Sequence, residues 1–220
     1  MKMDISNELE ERDFGQWDRK EVYEHFSNYI NPTMQITTKI ELGSFVNYVK
    51  REGLNFYPAF AFCCLSALTS IPESHYIVIN NRLYYSSVLN AGFTILDNEK
   101  RITFTDGIPF CPNIHDFNSM YVNHRTQIFT NHKEYSESKD NNKKITVFFT
   151  CLPWGSFTSI SNPIFNSQDN HIRICWGKYY YENDKLLIDV SFQAHHGLFD
   201  GRHPFVFFKE LESTVLSFSS

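Results

Sequence analysis

The sequence predicts an α+β domain. The expected architecture is a two-layer sandwich, in which a mixed, mostly antiparallel sheet is covered by helices on one face. Three observations carry this. Helix-period patterning recurs through the first seventy residues, around one alternating stretch, and returns near both residue 120 and the C-terminus. Between and after these stretches the period changes to two, with β-branched and aromatic runs around turn residues. No repeat and no Pro/Gly-rich linker divides the 220 residues, so residues 1–220 are read as one domain.

The elements follow in order. Trp17-Asp18-Arg19-Lys20-Glu21 opens a first helix, with Asp18 as the expected cap, Glu21 completing a capping box, and Val22, Phe26 and Tyr29 on one face. Pro32 ends it, and Thr33 to Ile40 alternates as a strand. Phe45, Val46 and Val49 mark a second helix ending near Gly53. Pro58 to Ser70 is a third, apolar nearly all round and therefore buried. Tyr76–Ile79 and Leu83–Tyr85 flank Asn80-Asn81, a hairpin signal. Phe93–Leu96 and Arg101–Thr105 read as strands, 114–135 as mostly helical, and 136–144 as a solvated loop. Ile145–Leu152, Ile172–Tyr181 and Leu186–Ala194 are strands, and a helix over His203–Ser217 closes the chain.

Composition narrows the function. A chain that is 42% hydrophobic and 20% charged folds around a core. A net charge of −5 argues against a nucleic-acid footprint. No run approaches the length of a membrane span, and the acidic N-terminus is unlike a signal peptide. The five cysteines show no pairing framework, which suggests a reduced, cytoplasmic protein. An aromatic content of 16% suits a pocket lined by rigid rings, although most such rings pack the core.

One segment concentrates chemistry: Gln193-Ala194-His195-His196-Gly197-Leu198-Phe199-Asp200-Gly201-Arg202-His203, at a strand end before a helix. Three readings apply. It is a polar turn with incidental histidines. Or it is a metal site of His195, His196, Asp200 and His203, which strand alternation disfavours by pointing adjacent residues apart. Or it carries a general base, since neutral imidazole can take and return a hydroxyl proton near neutral pH.

His195-His196-x-x-x-Asp200-Gly201 resembles the active-site signature of the chloramphenicol acetyltransferase family. Further stretches are similar and keep their order: Trp17 to Glu21, Phe56-Tyr57-Pro58-Ala59-Phe60, Pro153-Trp154-Gly155-Ser156-Phe157-Thr158-Ser159, and Gly177-Lys178-Tyr179-Tyr180. The resemblance implies a homotrimer with active sites at subunit interfaces, acetyl-CoA as co-substrate, a small-molecule acceptor, no metal and no acyl-enzyme.

The resemblance also implies roles. His196 is the general base. Asp200 pairs with Arg19 to order the turn. Thr150 stands where the family has a serine that donates to the oxyanion. Phe26 and Phe104 fall at acceptor-pocket aromatics, and Lys178 at a coenzyme phosphate contact. Cys151 beside Thr150 should face the other way along the strand and pack as a buried thiol.

The chain departs from the pattern at Ala194, Gly197 and Arg202, at Cys175 where the family has a threonine, and at Glu137-Ser138-Lys139-Asp140 in place of an acceptor-wall Phe-Pro. The expected function is acetyl transfer from acetyl-CoA to a hydroxyl of chloramphenicol. The alternatives are another hydroxylated acceptor on the same fold, or a non-catalytic trimeric binding protein. A dihydrolipoyl acyltransferase role is disfavoured, because no lipoyl domain or Pro/Ala-rich linker accompanies the motif.

Overall fold

The computed structural model describes residues 9–96, 102–105, 107–130 and 144–218, without the side chains of 103 and 104. In chain order the elements are β1 (Glu10–Arg12), α1 (Lys20–Ser27), β2 (Thr33–Glu41), α2 (Phe45–Arg51), α3 (Phe56–Thr69), β3 (Tyr76–Ile79), β4 (Arg82–Tyr85), β5 (Leu89–Leu96), β6 (Ile102–Phe104), β7 (Ile108–Pro109), α4 (Ile114–Thr130), β8 (Ile145–Cys151), β9 (Arg173–Trp176), β10 (Tyr180–Glu182), β11 (Lys185–His195) and α5 (Arg202–Ser217).

The main sheet runs β10-β11-β9-β8-β5-β6, with β2 on the outer side of β11 and β7 against β5. Among the described residues its pairings are antiparallel except β5–β8 and β8–β9. The mixed, mostly antiparallel sheet is therefore as expected. Strands β1, β4 and β3 form a separate small sheet. Its hairpin turns at Asn80 and Asn81, whose φ values of 50° and 60° are those a two-residue type I′ turn requires.

The long strand β11 shows how the sheet is covered. Its even residues Ile188, Val190, Phe192 and Ala194 are buried on the helical side, where Phe192 packs on Phe199 and Phe207. Its odd residues Ser191, Gln193 and His195 are buried as well. They bond to the irregular chain between β8 and β9: Ser191 to Ile160, Gln193 to Asn162, His195 to Ser167. Helices cover one face, and loop segments cover β11 on the other.

Helix α3 is buried almost all round. Phe60 packs edge-on against Trp176 at 4.9 Å and stacks on Phe56 at 5.6 Å.

Three local expectations are corrected. Asp18 does not cap α1: Arg19 takes the cap position, without a side-chain capping bond. The buried member of α1 is Tyr23, while Val22 and Tyr29 are 39% and 50% exposed, because α1 packs through Tyr23 onto β11. The strand expected over 172–181 is broken at 177–179, where Gly177 passes so close to the Gly155 carbonyl that a Cβ would lie 2.6 Å from it. Residues 136–143 of the predicted loop, the end of the helix expected to reach residue 135 and the start of the strand expected at Arg101 fall outside the described residues.

Phe60 is fully buried among rings, so Phe60→Ala should lower unfolding stability by about 3–5 kcal/mol, read from urea or thermal unfolding.

Candidate active site

The turn after β11 is built around Gly197. The Gly197 N–H donates to His195 Nδ1 at 2.9 Å, and the Gly197 carbonyl accepts from Arg19 Nε at 3.1 Å. A Cβ on Gly197 would lie 2.6 Å from the Tyr23 Cα, so only glycine lets α1 and the turn approach this closely.

His195 is fully buried and stacks on Tyr23 with ring centroids 4.8 Å apart. Since its Nδ1 accepts a proton bond, Nε2 carries the hydrogen and donates to the Ser167 carbonyl at 3.2 Å. Burial pushes this imidazole down to about 4, against the opposing pull of the Ser167 carbonyl and Asp169. His195 is thus a neutral, structural group near pH 7.

His196 lies one residue past the strand. Its N–H donates to the Pro32 carbonyl at 2.8 Å, and its ring stacks on Phe26 at 4.1 Å and 6°. Its Nδ1 is buried with no hydrogen-bond partner among the described residues, which leaves Nε2 as the nitrogen able to meet a reactant. The two histidines do not simply point apart. Both rings pack on α1, one against Tyr23 and one against Phe26, because strand alternation ends at His195.

Asp200 and Arg19 do meet, but loosely. Arg19 Nη1 stands 3.4 Å from Asp200 Oδ2, and the Asp200 side chain is 48% exposed. Asp200 also accepts the Arg202 N–H at 3.0 Å and lies 3.1 Å from His203 Nδ1. Its partial burial works to raise the carboxyl. The Arg202 N–H, His203 and Arg19 outweigh that and hold it below its ordinary range.

The remaining predicted residues lie elsewhere. Thr150 is on β8, half-buried, with its hydroxyl 3.3 Å from that of Thr94 on the adjacent β5. Cys175 is its cross-strand partner on β9, on the same face. Cys151 points to the helical face with Trp176, and burial raises its thiol to about 11; burial raises Cys175 to about 12. Neither thiol is a ready nucleophile.

Lys178 is exposed in the link after β9. Beside it Tyr179 packs on Phe56, at the rim of a cleft of about 320 Å³ lined by Asn55, Phe56, Tyr57, Tyr121, Val122 and Arg125. The Tyr57 hydroxyl reaches the Thr94 and Phe149 carbonyls, at 2.9 and 2.8 Å, beside Thr150. Phe104 ends β6, and its side chain lies outside the described residues. Among the described residues no cluster of His, Cys, Asp and Glu is placed to hold a metal ion.

The register separates the site into two halves. Thr150 is level with Cys175, and Cys175 with Ser191, five residues before His196. Two strand spacings across and five residues along place Thr150 and His196 about 20 Å apart in one chain. Thr94 and the paired hydroxyls were not anticipated. Their only sequence signal is the shared strand parity with Thr150 across 56 residues.

A helix-covered mixed sheet with a His-x-x-x-Asp-Gly turn defines the coenzyme-A-dependent acyltransferase fold. The chain resembles a solved chloramphenicol acetyltransferase with a TM-score of 0.81 and 21% identity, covering 94% of this chain and 99% of that one. The dihydrolipoamide acetyltransferase of Azotobacter vinelandii shares the fold at a TM-score of 0.66 and 11% identity, over 89% of this chain and 85% of that one. Among curated proteins, the chloramphenicol acetyltransferase of Staphylococcus intermedius is 29% identical over 202 residues, covering 90% of this chain and 92% of the relative. That of Escherichia coli is 27% identical over 194 residues, covering 87% and 86%. The family model for chloramphenicol acetyltransferase matches residues 8–212. The chain belongs to the chloramphenicol acetyltransferase family, whose members are acetyl-CoA-dependent O-acetyltransferases.

Because the Asp200 carboxyl is held below its ordinary 3.8, its stabilising contribution is complete above that pH and is lost as pH falls through the lower folded value. Asp200→Asn should therefore be less stable than wild type at pH 7, by under about 1 kcal/mol given the exposure of the pair. The gap should close in melts taken below pH 4. Arg19→Ala should cost more, because it also removes the donor to the Gly197 carbonyl.

Proposed function

We propose that this protein moves the acetyl group of acetyl-CoA to a hydroxyl of chloramphenicol by direct attack, without an acyl-enzyme. His196 Nε2 removes the acceptor proton as the hydroxyl oxygen bonds to the thioester carbonyl carbon. The resulting oxyanion accepts a hydrogen bond from Thr150 Oγ1, whose own lone pair can be engaged by the Thr94 hydroxyl. The C–S bond then breaks, and His196 returns the proton to the leaving thiolate. An aliphatic alcohol is a poor nucleophile at neutral pH, so removal of its proton and the pre-set geometry of both reactants supply the acceleration.

The observation that carries this reading is the placement of His196. Phe26 and the Pro32 carbonyl fix its ring and backbone, its Nδ1 is enclosed, and Nε2 is left for the reactant. The raised thiols of Cys151 and Cys175 support attack by the acceptor rather than by the protein. The cleft edged by Phe56, Tyr57, Tyr121 and Arg125 fits a pantetheine chain with an anionic end. Three aromatic rings, one amide and one guanidinium line it, and exposed Lys178 is nearby.

The separation of about 20 Å between Thr150 and His196 supports a site shared between two copies of the chain, with the homotrimer as the closed ring. Phe26 beside the base and Phe104 on β6 are read as acceptor contacts. Asp200 and Arg19 order the turn.

A second acceptor reading is favoured by one observation. Cys175, where the family has a threonine, lies directly across from Thr150 on the same face, so the wall beside the donor carries a thiol in place of a hydroxyl. Another hydroxylated small molecule would then be the better acceptor.

Thiol release from acetyl-CoA, with the acetylated product identified by mass, tests the reaction; absence of release with chloramphenicol and with a panel of hydroxylated acceptors overturns it. His196→Ala should abolish transfer with the assembly intact. Thr150→Ala should lower kcat by roughly 10²-fold with little change in coenzyme KM. Mixing the two inactive variants by co-refolding should restore activity at about one site in four, because a mixed ring holds one junction with both groups intact. No recovery on mixing would place both groups of each site in one chain.

A further inference from the structure

The chain between β8 and β9 is irregular, yet one part of it is tightly held. Asp169 sits at the centre. Its Oδ2 accepts from Arg173 Nη2 at 2.6 Å and from the Phe165 N–H at 3.0 Å. Its Oδ1 accepts from Arg173 Nη1 at 3.2 Å and from the His171 N–H at 3.3 Å. The Asp169 and Arg173 side chains are 2% and 12% exposed. Arg173 Nη1 also donates to the His171 carbonyl, so the guanidinium closes the bend from both ends. The Asp169 N–H returns to the Asn166 carbonyl. Burial alone would raise the Asp169 carboxyl, but Arg173 and the Phe165 N–H hold it below its ordinary value, so the pair stays ionised.

Ser167 lies inside this bend. Its carbonyl is the acceptor for His195 Nε2–H, and His195 Nδ1 is the acceptor for the Gly197 N–H. Asn170 continues the same frame, donating to the Gln168 carbonyl and to the Tyr23 hydroxyl, while the Tyr23 ring stacks on His195. An unbroken line of bonds therefore runs from a buried ion pair to the residue that follows His196. Stability alone gives little reason for such a pair, since apolar residues of equal volume often serve as well in a core.

We propose that the Asp169–Arg173 pair is a positioning device for His196, acting through the Ser167 carbonyl and the tautomer of His195. The inference rests on the reading of His196 as the base. The pair holds the Ser167 oxygen where only an Nε2–H imidazole can meet it. That tautomer presents an unprotonated Nδ1 to the Gly197 N–H, and the Gly197 N–H fixes the peptide that leaves His196.

The test joins kinetics to nitrogen NMR on the full-length protein. In wild type, ¹⁵N-histidine spectra at pH 7 should show His195 with Nδ1 bare and Nε2 protonated. Asp169→Asn should turn this signal into a tautomer mixture. It should lower kcat by roughly 10- to 100-fold, the scale of a small misplacement of a reacting group, with acetyl-CoA KM within about twofold. His195→Asn keeps an acceptor for the Gly197 N–H but cannot reach Ser167. Added to that background, Asp169→Asn should cost nothing further. If Asp169→Asn does not fold, Arg173→Lys, which keeps the charge and loses the fork, should show the same changes in smaller degree.

Additive losses in the double variant would overturn the proposal, as would an unchanged His195 signal in a variant that has lost turnover. The spectra do not depend on any reaction. If the wild type releases no thiol, the function reading fails, while the His195 tautomer and its response to Asp169→Asn still decide whether the relay exists.

Discussion

Everything at the candidate centre depends on the clamp around Gly197. One residue gives its N–H to His195 and its carbonyl to Arg19, with no room for a side chain between it and α1. Three distant parts of the chain meet there: the helix after residue 19, the end of β11 and, through His195, the irregular stretch around Ser167. None of the three could shift alone. The His196 imidazole one residue away inherits that rigidity, which the role of base proposed for it requires.

The sheet supplies a second constraint. Parallel pairing of β5, β8 and β9 brings Thr94, Thr150 and Cys175 onto one face, while the antiparallel β11 carries the histidines away from them. The two sets of groups are rigid relative to one another and apart. On the proposed roles, half a site stands at each of two places, and association of copies rather than a hinge would join them.

The parts of this arrangement that were legible in the sequence are those written locally. His195, His196, Asp200 and Gly201 lie within seven residues, and the Asn80-Asn81 turn and the all-apolar α3 announce themselves. The errors come from tertiary partners. Asp18 loses the cap position to Arg19, whose own side chain is drawn across to Gly197 and Asp200. The helical face of α1 was misjudged because Tyr23, not Val22, meets β11. The break at Gly177 follows from a close backbone approach that no spacing reveals. Asp169 and Arg173, four apart, imitate a helical ion pair yet lie where there is no helix, so the pattern gave no hint of their bend.

The pairing of β2 with β11 has a consequence for how the protein is made. Among the described residues, 33–41 pair with 187–195 alone, nine rungs in register. During synthesis β2 must wait, as an unpaired and partly apolar edge, until nearly the whole chain has emerged. Ladders closed over such a distance form slowly and leave sticky intermediates. The turn carrying His196 follows directly after β11, so the segment that closes this ladder also brings in the proposed base. A chain cut short or stalled a few dozen residues early would expose an open edge and lack His196. Selection on folding and selection on activity would therefore act on the same C-terminal segment, from residue 187 onward.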